Sequence, residues 1–215
     1  MDPLPKPTNT LVLSYLELRA STGTIGILLP FVVSIGKILL QSPGILSSVS
    51  SYYYSVMGNV FVGSLCAIGV FLWSYRGYEI QDAVAGHLAA IFAIGVALFP
   101  TTPDTGATAD QMMIGTLHLI FAAGFFLTLA YFALVLFPKT NPAVSPTPMK
   151  LVRNNVYYVC GTLILLSIML IGVLRFVPPD ASIWQVQPIF WLESLAIVAF
   201  GASWFVKGEA ILKDA

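Results

Sequence analysis

The 215-residue sequence is 57% hydrophobic and only 9% charged, and its ten basic side chains cancel its ten acidic ones. A water-soluble domain carries about a quarter charged residues to keep its surface solvated, so the composition excludes an ordinary soluble fold. The balanced charge excludes a nucleic-acid partner drawn by a basic field.

The chain opens on a polar, proline-bearing stretch, MDPLPKPTNT, with no basic region ahead of a long apolar core, so no cleavable signal peptide is expected. Residues 11–22 either extend the first membrane helix or form a short interfacial one, because Glu17 and Arg19 discourage deep burial. About twenty mostly apolar residues cross the hydrocarbon core of a bilayer. Six stretches satisfy this: Gly23–Gln41, Val56–Tyr75, Ala83–Phe99, Met112–Phe137, Val156–Phe176 and Gln187–Val206. Pro43-Gly44, Arg76-Gly77, Pro100 to Asp104, Pro138 to Pro148 and Pro178 to Asp180 punctuate them. Proline lacks an N–H and restricts its predecessor, so such segments end helices. The expected fold is all-α, a single transmembrane domain over residues 1–215 built as a polytopic bundle of six helices.

Orientation follows from the basic residues. With the N-terminus inside, Lys6, Arg19, Arg76, Lys139, Lys150, Arg153, Lys207 and Lys213 are cytoplasmic, whereas the outer side receives only Lys37 and Arg175. That asymmetry places both termini in the cytoplasm. Trp184 and Trp191 mark one interface, and Trp73, Tyr75, Tyr78 and Trp204 the other. In the third stretch Ala85, Ala89, Ala93 and Ala97 recur every fourth residue. A small-residue ridge admits a neighbouring backbone, so this helix is expected to lie centrally.

Candidate site residues come from the cost of polar groups in hydrocarbon. A rise of 1.5 Å per residue puts Asn59 roughly 5 Å below the outer surface, Lys37 about 6–7 Å, His118 about 9 Å, Glu193 about 9–12 Å and Ser64 about 12 Å. These five, on four helices, suggest one outward-facing pocket, with Tyr52 to Tyr54, Asp104 and Asp110 near its mouth. Each also has a plainer reading. Lys37 snorkels to the interface or pairs with Glu193. His118 donates to a backbone carbonyl of another helix, and Asn59 and Ser64 act as interhelical glue. On the cytoplasmic side Arg76, Glu79, Asp82 and His87 read as a salt-bridged loop.

No cofactor or metal is expected. His87 and His118, the only histidines, lie at depths too different for a shared haem. The outer cluster offers one histidine and one carboxylate, too few for zinc. Cys66 and Cys160 fall in apolar runs, where thiols behave as small hydrophobes. Ser64, His118 and Glu193 have the residue types of nucleophile, base and orienter, but similar depth alone is a weak signal.

The segments Met57-Gly-Asn-Val-Phe-Val-Gly63, Tyr75-Arg-Gly-Tyr78, Gly95-Val-Ala-Leu-Phe-Pro-Thr101 and Phe190-Trp-Leu-Glu193 carry a resemblance. Through them the chain resembles a family of bacterial six-helix integral membrane proteins with no established activity. The resemblance implies a bacterial inner-membrane location and carries over no functional residue. Seven-helix metal-dependent lipid hydrolases rely on three histidines with an HxxxH pair, which this chain lacks. Three readings stay open: a receptor or sensor binding a lipid or small amphipathic molecule, with lipid processing as a variant; a proton- or ion-coupled carrier or channel; and a structural subunit, including a homo-oligomer.

Overall fold

The computed structural model describes residues 15–77, 79–140 and 145–213. Lys6, residues 11–14, Tyr78 and part of the proline-rich fourth loop lie outside them. Six long helices appear: α1 (Tyr15–Leu40), α2 (Gly58–Trp73), α3 (Ile80–Leu98), α4 (Ala109–Tyr131), α5 (Pro148–Leu174) and α6 (Pro188–Lys207). Short 3-10 segments occupy Ser50–Tyr54 and Ser182–Val186, and a π turn, Phe132–Leu136, extends α4. No strand occurs among the described residues.

Five of these helices are long and apolar enough to cross a membrane; α2, with 16 residues, is shorter. The expected second span began at Val56. Instead, Ser55 to Met57 form a turn leaving the 3-10 segment, and the helix starts at Gly58. Two helices begin about two turns earlier than their apolar runs. The polar residues Glu17 and Arg19 lie inside α1. At α5, Thr147 Oγ1 accepts the Lys150 N–H at 3.0 Å, and Pro148 occupies the first turn, where its missing N–H has no helical partner to lose. The reciprocal bonds of Thr108 with Gln111, and of Glu79 with Asp82, fix the starts of α4 and α3.

Each helix packs on its neighbours in sequence, and α6 closes onto α1, giving an up-and-down ring. The α1–α6 crossing is tight. A Cβ at Gly23 would lie 2.5 Å from the Phe205 nitrogen, and one at Gly201 2.6 Å from the Gly23 carbonyl oxygen. Only glycine allows that approach, the means by which helices gain dispersion energy in lipid. The alanine ridge of α3 is fully buried. It faces α2 and α4 within the ring, however, rather than forming a central helix as expected. Large apolar side chains such as Leu39, Phe31, Ile91, Ile120 and Met169 project outward around the whole bundle. A surface of that kind is solvated by lipid, and the chain is a multi-pass membrane protein.

The loop between α1 and α2, with the loops from α3 to α4 and from α5 to α6, defines one end of the bundle. The start of α1 and the end of α6 define the other, here the terminal end.

Candidate functional site

The uncharged loop after α1 folds back over the bundle instead of extending into solvent. Lys37, only 5% exposed, donates from Nζ to the carbonyls of Pro43 (3.3 Å) and Gly44 (3.0 Å). Gly44 takes φ +89°, a left-handed turn that sends the chain back inward. Ser50–Tyr54 then forms a plug, with Val49, Ser50, Ser51 and Tyr52 buried. Two ties run from the plug segment to α6. The Phe190 N–H donates to the Ser47 carbonyl at 3.0 Å, and the Ser50 N–H donates to Glu193 Oε2 at 3.2 Å. The Val49 N–H also faces that carboxylate. The first N–H groups of a 3-10 turn have no partner within the turn, so Glu193 supplies the acceptor they need.

Above the plug, hydroxyls form a directed chain. Ser47 Oγ lies 2.8 Å from both carboxylate oxygens of Asp104 and 2.8 Å from Ser51 Oγ, which lies 2.8 Å from Ser48 Oγ. A serine has one proton to give. Ionised Asp104 can only accept, so Ser47 donates to it, Ser51 to Ser47, and Ser48 to Ser51. The exposed Asp104 thereby fixes the hydroxyl orientation of a buried segment. An open vestibule of about 220 Å³ lies here, lined by Gln41, Ser51, Tyr54, Ser55, Asp104 and Thr105. Tyr54 spans its wall, its hydroxyl donating to the Thr101 carbonyl at 2.7 Å.

Below the plug is a narrow cavity of about 30 Å³, whose walls include Leu29, Val49, Ser50, Phe61, Phe125 and Glu193. Its size admits one or two waters and no larger molecule. Ser50 and Glu193 are its polar wall; the rest is aliphatic or aromatic.

The structure distributes the five candidates instead of gathering them in one pocket. Of the five, Glu193 alone lines the cavity. Lys37 does not pair with Glu193: its ammonium reaches past the end of α1 to the loop carbonyls, and among the described residues the one ion pair is Lys139 with Glu79, at 2.7 Å. His118 is 2% exposed, and its Nδ1 lies 2.7 Å from the carbonyl oxygen of Phe99, the residue that closes α3. That is the interhelical bond foreseen as its plainer reading, and among the described residues no hydrogen bond joins His118 to Ser64 or Glu193. Asn59 is exposed on the first turn of α2, and Ser64 is half-buried on α2 away from the cavity. Asp110 sits exposed in the first turn of α4, outside the vestibule lining.

At the terminal end, Asp82 accepts the Glu79 N–H at 3.0 Å. His87 lies 3.1 Å from Arg76 and stacks 4.5 Å from Trp73, and no ion pair among the described residues joins Arg76, Glu79, Asp82 and His87 as the salt-bridged reading expected; Glu79 pairs with Lys139 instead. The exposed Lys139 is held above its usual range by its bond to Glu79. No cluster of metal-ligating side chains occurs among the described residues.

Sequence reasoning missed Ser47, Ser48, Ser50 and Ser51. The available signal was a loop from Ser42 to Ser55 without one charge, unusual for a segment that must stay in water. No family model, no curated protein and no solved structure matches the chain.

Proposed function

We propose that the chain is a receptor- or sensor-like membrane protein that takes a small amphipathic ligand at the plug end and reads it through the plug to Glu193. The observation that carries this is the position of the plug. One side of it meets the vestibule through Ser51 and Asp104, and the other meets an intramembrane carboxylate through the Ser50 N–H. A carboxylate at membrane depth is costly to keep, and a role in switching accounts for it better than capping one turn alone. The vestibule combines Leu46 with hydroxyls, an amide and one carboxylate, which suits a headgroup bearing an amine or hydroxyls beside a short apolar tail.

The basic-residue asymmetry supports cytoplasmic termini and an outward-facing plug, and the resemblance noted from the sequence supports a bacterial inner membrane. The carrier reading has less behind it. Past Glu193 the cavity wall is Leu65, Ile68, Val96, Phe126 and Phe200, followed by packed aromatic rings, so the described residues lining it offer no polar route toward the terminal end.

The test is a thermal-shift panel of ethanolamine-, choline- and glycerol-headed lysolipids on the purified protein. At least one class should stabilise the native chain, and Asp104→Asn should remove that effect without lowering the unliganded melting temperature. If no class stabilises the protein, or if Asp104→Asn responds as the native chain does, the vestibule is not the binding site.

A further inference from the structure

The terminal end of the bundle gathers four cations from three helices: Arg19 on α1, Lys150 and Arg153 on α5, and Lys207 on α6. Three of them lie over aromatic rings. The Arg19 guanidinium is 5.2 Å from the Tyr75 ring, Lys207 Nζ 5.2 Å from Phe137, and Lys150 Nζ 5.8 Å from Tyr157. These rings form one floor. Trp204 is 5.1 Å from Tyr75 and 5.4 Å from Phe137, and Phe137 is 5.3 Å from Tyr157. The π turn closing α4, with Phe137 N–H to Phe132 carbonyl at 2.9 Å, carries Phe137 into this floor beneath Lys207.

Two of the four are bonded within the chain, Lys150 Nζ donating to the Phe137 carbonyl at 2.8 Å and an Arg153 guanidinium nitrogen to the Leu212 carbonyl at 2.8 Å, so the pair that bears on a ligand is Arg19 with Lys207. Arg19 and Lys207 are brought side by side where α1 meets the end of α6, a Cβ on Gly208 lying 2.6 Å from the Ala20 nitrogen, and the charges of Lys150, Arg153 and Asp82 also reach Lys207. Asp82 is engaged at the start of α3, its Oδ2 accepting the Glu79 N–H at 3.0 Å. Glu209, beyond α6, adds a negative charge that is felt at Tyr157. Two buried donors at the floor have no acceptor among the described residues, Arg19 Nε and Trp204 Nε1. A buried donor left unmatched is costly, and more so when it is charged. Arg19 and Lys207 are each partly exposed, so an incoming acceptor can reach them.

We propose that Arg19 and Lys207, flanked by Lys150, form a binding site for a phosphate group, supplied by the headgroup of an anionic phospholipid. A phosphate offers several charged oxygens to one forked guanidinium and one ammonium held on different helices. The ends of membrane-crossing helices lie at the level of lipid phosphates, where basic pockets between helices select anionic headgroups. The proposal is independent of the plug and of Glu193.

Native mass spectrometry of the detergent-purified full chain, titrated with phosphatidylglycerol or phosphatidylcholine, tests it. Phosphatidylglycerol should be retained in preference, and Arg19→Gln with Lys207→Gln should weaken its binding by at least about tenfold while leaving phosphatidylcholine unchanged. Lys139→Gln, at the same end but paired with Glu79, should change neither. Arg19→Lys, which keeps the charge and is the milder change should the double variant lose its helical circular dichroism, should retain part of the preference. Equal retention of the two lipids by the native chain, or equal loss in Lys139→Gln, overturns the site. Inorganic phosphate followed by calorimetry separates the sources. Tight binding that competes with phosphatidylglycerol and is lost in the double variant would keep the phosphate chemistry and overturn the lipid assignment.

Discussion

Replacing Glu193 by alanine removes the acceptor that holds the plug. The Ser50 N–H, now 3.2 Å from Oε2, and the Val49 N–H beside it lose their partner. Leaving a buried donor without its acceptor costs about 1–3 kcal/mol, so local opening of the plug becomes easier by about 2 kcal/mol. Every 1.4 kcal/mol is a factor of ten, so amide hydrogens of the plug should exchange roughly 30-fold faster. Glu193→Gln keeps an amide oxygen as acceptor, so plug opening should become easier by no more than about 1 kcal/mol, or roughly fivefold in exchange. The assay is hydrogen–deuterium exchange read by mass spectrometry on a peptide spanning residues 46–55, in nanodiscs, with a peptide from α3 as internal reference. Unchanged plug exchange in Glu193→Ala would refute the reasoning, because the carboxylate would then not be what holds the segment down. Acceleration spread equally over α3 would also refute it, by showing a global loss of stability.

Further outcomes follow from other contacts. Gly201→Val should separate α1 from α6 and cost at least about 2–3 kcal/mol, seen as a lost or strongly lowered melting transition, because the added carbon meets backbone rather than a movable side chain. His118→Ala should lower stability by only about 0.6–1.7 kcal/mol, the range for an interhelical bond in a membrane, and should leave lysolipid stabilisation intact. Lys37→Met should accelerate exchange in residues 42–46 more than in the plug, since its ammonium bonds the carbonyls of Pro43 and Gly44. With Cys66 and Cys160 replaced, a cysteine at Asp104 should react with a membrane-impermeant thiol reagent in intact cells and one at Lys139 should not; the reverse pattern would invert the orientation.

The membrane fold was legible in the sequence because lipid demands long apolar helices and leaves few alternatives. Boundaries were less legible where polar residues continue a helix beyond the apolar run, as Glu17 and Arg19 do in α1. The start of α2 was misplaced because Val56 and Met57 are apolar yet belong to the turn below the plug. The identity of the intramembrane ionisable residues could be read, but their partners could not. Hydropathy does not say that a segment 143 positions earlier folds back to meet Glu193. Depth alone also failed to separate cavity-lining groups from capping groups. Lys37 and His118 are satisfied by backbone carbonyls at helix ends, a solution needing no cavity. The serines of the plug were passed over because hydroxyls carry no charge and read as loop composition until they are seen packed against one another.

Communication between the vestibule and the intramembrane carboxylate is tested most directly by difference infrared spectroscopy of the Glu193 carboxyl band, assigned by its disappearance in Glu193→Gln. Neutralising Asp104 by Asp104→Asn removes the charge that orients Ser47, Ser51 and Ser48, so the plug resettles and the Glu193 band should shift, while Asn59→Ala leaves it in place. A Glu193 band that is the same in Asp104→Asn as in the native chain would contradict the account.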